Sequence, residues 1–84
     1  MKVKQFHVKN QFVINEGDCS YFQSYNSIIV KREGYGTNEK IWIDEQYWDY
    51  SATTGRYRNL FLGEDKKETE RKIKSGEYTL ANLN

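Results

Sequence analysis

Apolar residues recur at alternate positions through the first half of the chain and at helical spacing through part of the second. Phe6 and Val8 alternate with Gln5, His7 and Lys9, the period of a half-buried strand, which predicts a first strand over 4–9. Asn10 marks a turn or bulge before a short second strand over 11–14. Asn15-Glu16-Gly17-Asp18 has turn composition, with a glycine able to take the positive φ that tight reversals require. A third strand is expected within 19–23 and a fourth over 27–32. The fourth forms a hairpin with 39–43 across the loop Gly34-Tyr35-Gly36-Thr37-Asn38. Trp42 then faces away from Ile41 and Ile43. One sheet face carries the isoleucines, and the other carries an indole that awaits a covering helix, a loop or a partner.

After Tyr50 the pattern changes. Ser51, Thr53 and Thr54 are all candidate N-caps, because their hydroxyls can satisfy free N–H groups at a helix start. Tyr57, Leu60 and Phe61 fall on one helical face, with Arg56 and Arg58 on its opposite shoulders and Gly63 as the expected stop. Asp65-Lys66-Lys67-Glu68 resembles a capping box, opening a second helix that Ser75-Gly76 closes. Glu68/Lys72 and Glu70/Lys74 are spaced to pair along it. Ile73 is its only strongly apolar residue. The tail 78–83 alternates enough to dock as a strand or extended segment. No proline, repeat or linker divides the chain. The expected architecture is one α+β domain over 1–84, a small antiparallel β-sheet of about four to five strands followed by one or two C-terminal helices.

Composition tightens this picture. Leu, Ile, Val and Phe supply only eighteen of 84 residues, close to the composition of disordered chains. A net charge of +1 and a 15% aromatic share argue instead for a folded, aromatic-rich core. Cys19 is the single cysteine, so no intrachain disulfide forms and a reducing compartment is indicated. No apolar run exceeds three residues, as in Ile28-Ile29-Val30, far too short to span a membrane. The first residues lack the apolar stretch of a signal peptide. The expectation is a soluble, cytoplasmic protein without a membrane partner.

Catalytic chemistry is sparse. A Cys19–His7 nucleophile pair needs the strands to bring the two together, and a strand context favours structural roles for both. One Cys and one His are too few for a zinc site made of nitrogen and sulfur ligands. Asp44, Glu45 and Asp49 follow no known cation-loop spacing and read as loop acids. Gly34-Tyr35-Gly36 sits in a hairpin, not in the strand-to-helix turn that cradles phosphate. Neither catalytic residues nor a metal or other cofactor are expected.

Two candidate surfaces remain. Tyr47, Trp48 and Tyr50, flanked by Asp44, Glu45 and Asp49, combine the residue types that dominate protein interfaces with charges that steer a basic partner. Arg56, Tyr57 and Arg58 at a helix start, with Lys31 and Arg32 on the fourth strand, supply groups that hold phosphate and stack on bases. The first predicts a protein-binding patch on 44–50, and the alternative is a small nucleic-acid-binding or regulatory protein.

Trp48-Asp49-Tyr50-Ser51-Ala52-Thr53-Thr54-Gly55-Arg56-Tyr57-Arg58-Asn59-Leu60-Phe61-Leu62 resembles a pattern of small uncharacterised proteins of Gram-positive bacteria, their phages and mobile elements. Asp18-Cys19-Ser20-Tyr21-Phe22-Gln23-Ser24-Tyr25 and Ser75-Gly76-Glu77-Tyr78 look similar too. The resemblance names no activity and assigns no residues. It implies a setting in which short accessory proteins bind host machinery, a class that includes anti-CRISPR-like counter-defence inhibitors. The expected partner is accordingly a larger host protein or nucleoprotein complex.

Overall fold

The computed structural model describes residues 2–34 and 36–84, and in it one six-stranded sheet carries two helices on one face. The strands are β1 (Lys2–Gln5), β2 (Gln11–Glu16), β3 (Cys19–Ser24), β4 (Ser27–Glu33), β5 (Lys40–Asp44) and β6 (Tyr78–Ala81). They lie side by side in chain order. Helices α1 (Ala52–Leu62) and α2 (Lys66–Ser75) connect β5 to β6. The hairpin loop contains a short 3-10 turn at Gly36–Asn38, while Tyr35 lies outside the described residues.

The α+β class holds, but the sheet is larger than expected and mixed. β1 to β5 form an antiparallel meander, and β6 pairs parallel to β5. Parallel neighbours need a crossover of about a dozen residues or more, and the helical segment between β5 and β6 supplies it. The first strand is also corrected. It ends at Gln5, because His7 takes φ +68 while Val8 N–H donates to Phe6 C=O at 2.8 Å, a strained three-residue turn. Phe6 leaves the sheet and meets Phe22 and Phe61 edge-on, with centroids 5.9 and 6.2 Å away.

The core follows from register. Phe22, Val30 and Ile43 are cross-strand neighbours, as are Arg32, Ile41 and Tyr78. Both helices pack on this face. Phe61 stacks on Phe22 at 5.8 Å, and the Arg32 guanidinium lies 4.8 Å over the Phe61 ring. A register shift in β3–β4 adds one residue to β4, so consecutive Ile29 and Val30 both enter the core.

The helix boundaries match their chemistry. Ser51 caps α1, its Oγ accepting from Thr54 N–H at 3.1 Å, and Gly63 ends it in the left-handed conformation. Asp65 caps α2 by accepting from Glu68 N–H at 2.9 Å, and Gly76 closes it. The expected core face of α1 is corrected at Leu60, which is 52% exposed, while Tyr57, Phe61 and Leu62 pack inward. The Glu68/Lys72 pairing is also replaced. Lys72 Nζ reaches Glu64 at 2.8 Å, where Thr69 Oγ1 and Tyr78 Oη also donate, at 2.7 and 2.8 Å. Glu64 thereby ties the helix connection to α2 and β6. Burial alone would raise its carboxyl, but the Lys72, Thr69 and Tyr78 bonds outweigh that and lower it.

Candidate functional site

β1, β3, β5 and β6 all finish at the same end of the sheet, where β2 and β4 begin. Loop 6–10, the two-residue turn Tyr25-Asn26, segment 45–51 and tail 82–84 therefore converge there. The sequence-predicted protein-binding segment lies at this end, and the structure divides it into two parts.

One part is turned inward. Asp44 is almost fully buried, accepting from Gln46 and Tyr47 N–H at 3.1 and 2.8 Å and from Leu83 N–H at 2.8 Å. Burial raises such a carboxyl, yet the Leu83, Tyr47 and Gln46 N–H groups lower it overall. Trp48 and Tyr47 pack half-buried against the core. Asp49 bridges Arg58 at 3.2 Å and Lys66 at 2.6 Å. Burial raises the Asp49 carboxyl and these two cations bring it below its ordinary value. Asp44 thus corrects the expected surface acid: its oxygens pin a turn and the tail, and cannot meet a partner.

Arg58 is corrected in the same way. At 1% exposure it donates to Trp48 C=O at 2.6 Å, to Asp49 Oδ1 at 3.2 Å and, through Nη2, to Asn59 Oδ1 at 3.0 Å. Its guanidinium lies 4.9 Å over the Trp48 ring. It is a clamp joining α1 to the preceding segment. The rest of the alternative nucleic-acid set does not converge. Tyr57 is buried, Arg56 lies against its ring at 5.7 Å, and Arg32 is engaged with Glu39 and Phe61 C=O. Lys31 is on the opposite sheet face, over Trp42.

The other part faces outward. Tyr50 is 46% exposed and meets Tyr47 edge-on at 5.6 Å, with Glu45 exposed nearby in the chain. The same end of the sheet carries a residue that the sequence reading missed. Tyr25, 42% exposed, occupies the first position of the hairpin turn between paired Ser24 and Ser27, with φ +55. Two-residue hairpins demand positive φ there, and glycine meets that demand without strain. The residues before Tyr25 and after Tyr50 are linked through α1: Ser24 Oγ and Thr54 Oγ1 are 2.8 Å apart, and Ser51 Oγ donates to Thr54 Oγ1 at 3.0 Å. Ser24-Tyr25-Asn26-Ser27 between two β-rich runs was the available signal.

His7 and Cys19 are not brought together. His7 stacks on Tyr57 at this end, whereas Cys19 begins β3 at the other, donating to Glu33 at 3.6 Å. Desolvation and Glu33 raise the Cys19 thiol. Among the described residues no helix is long and apolar enough to cross a membrane.

A sequence profile described as a family of unknown function (DUF8033) matches residues 1–77. No curated protein and no solved structure matches the chain.

Proposed function

The chain belongs to this family of unknown function, and we propose from its surface that it acts without catalysis, by binding another protein through the tyrosine rim at the loop end of the sheet. Tyr25 and Tyr50 are the anchors, Tyr47 supports Tyr50, and Glu45 supplies the free acid. The single observation that carries this reading is Tyr25. A large aromatic holds a position whose backbone favours glycine, and its ring is left in solvent. Departures from local backbone rules of this kind concentrate at functional sites. Two exposed tyrosines on firmly anchored backbone are also good interface anchors, because little side-chain freedom is lost on docking.

The resemblance of 48–62 to small phage and mobile-element proteins extends the proposal to an accessory role. The partner is then a larger host protein or nucleoprotein complex, and counter-defence inhibition is one form of that role. The test is affinity capture with the wild-type chain and a Tyr25→Gly/Tyr50→Ala variant, with Arg56→Ala as a surface control. A partner retained by the wild type and the control, but lost by the rim variant, supports the proposal. Equal capture by all three contradicts it. Salt-sensitive binding to single-stranded DNA or RNA, lost on Arg56→Ala, favours the nucleic-acid reading instead.

A further inference from the structure

The second sheet face carries an apolar surface that the rim does not use. Cross-strand pairing lines up Val3, Ile14, Tyr21, Lys31, Trp42 and Thr79 across all six strands. Phe12 and Ile28 lie on the same face, joined through Gln23. The stacking and hydrogen-bonding contacts of both helices fall on the opposite face, with Phe22, Ser24, Arg32 and Tyr78. Phe12, Ile14, Tyr21, Ile28 and Trp42 stand outside the core cluster and are only half-buried, and Val3 is 56% exposed.

We propose that this face packs against the same face of a second copy of the chain. Charge favours that occupant. The face carries Lys31 and Lys40 against Glu16 and Glu33, a balanced set with Lys31 3.9 Å from Glu33. A phosphate backbone would meet no net positive field there. A two-fold related copy, by contrast, can set its lysines opposite these glutamates. The area is consistent with a modest dimer. At about 4.8 Å between strands and about 3.3 Å per residue, the face spans roughly 24 by 16 Å, about 400 Å² per copy. Stacking two copies removes about 800–1,000 Å² in total, the size of weak, transient interfaces, so association is expected only at high protein concentration. Sheets packed this way interdigitate their side chains at about 10 Å separation, leaving both tyrosine rims free at the sheet ends.

Sedimentation equilibrium from about 10 μM to 1 mM tests this. The wild-type mass should rise from 10.0 kDa toward twice that value. Tyr21→Lys, which places a cation in the middle of the face, should leave a monomer throughout. Val3→Lys, at an exposed edge position that folding does not need, should weaken association about tenfold. Leu80→Lys, on the helix face of β6, should change nothing. A wild type that stays monomeric at 1 mM overturns the proposal. So does association that survives Val3→Lys and a folded Tyr21→Lys, or that Leu80→Lys abolishes by exposing strand-edge pairing as its cause.

Discussion

Asp44 and Tyr50 belong to one short segment and have opposite fates. Asp44, with Trp48, Asp49 and Arg58, is spent on internal bonds: three N–H groups on one carboxylate, and a carbonyl, a carboxylate and an indole around one guanidinium. Tyr50, and Tyr25 at the same end of the sheet, keep large fractions of their surface in solvent, next to backbone that the Ser24–Thr54–Ser51 chain holds in place. The difference teaches that residue type alone does not mark a binding surface. In an 84-residue domain with few aliphatics, charged and aromatic groups must also serve as mortar.

The largest effect separates the two regions most sharply. Arg58→Ala removes a buried guanidinium, leaves Trp48 C=O unpaired and Asp49 with Lys66 alone, so chemical denaturation should show a loss of about 3–4 kcal/mol from the lost charged hydrogen bonds and packing. Arg58→Lys should recover only part of this, because an ammonium cannot reproduce the planar fork over Trp48. A loss below about 1 kcal/mol would erase the distinction between clamp and surface.

Asp44→Asn should cost about 2–3 kcal/mol, since hydrogen bonds from N–H groups to a charged acceptor are weakened together. Amide exchange at Leu83 and Tyr47 should accelerate in that variant.

Acid sharpens the same contrast. The carboxyls of Asp44, Asp49 and Glu64 are lowered by folding, so their contribution is fully present above the unfolded value of about 4 and is lost as pH falls through the folded values. Thermal melts should therefore drop steeply below about pH 4, and Glu64→Gln should flatten part of that slope. Tyr78, raised to about 12 by burial and by Glu64, acts with the opposite sign: its contribution is present at neutral pH and is lost in strong alkali.

The rim should behave differently under the same probes. Tyr25→Gly should raise stability by about 1 kcal/mol, by relieving the left-handed strain of an L-residue. Tyr50→Ala should change stability by less than about 0.5 kcal/mol.

Much of the fold was legible because it rests on local rules. Asp65, Gly63 and Gly76 announced helix ends, Ser51 was one of three candidate caps for α1, and the β4–β5 hairpin followed from alternation and a glycine loop. β6 was visible as an extended segment, but its parallel pairing depends on the helical crossover, which no local pattern encodes. Phe6 defeated the first-strand expectation because edge-on contacts with Phe22 and Phe61 outweighed continuing a strand. The site was half legible. Its composition drew attention to 44–50, yet only three-dimensional bonding showed which side chains are consumed. Tyr25 acquires its meaning from a backbone angle and from the bond between Ser24 and Thr54, thirty residues apart in sequence.

The most direct test measures stability and partner capture on the same Tyr25→Gly protein. A higher melting temperature is expected, together with loss of the partner that the wild-type chain retains. Undiminished capture by the stabilised variant would contradict the rim as the binding site.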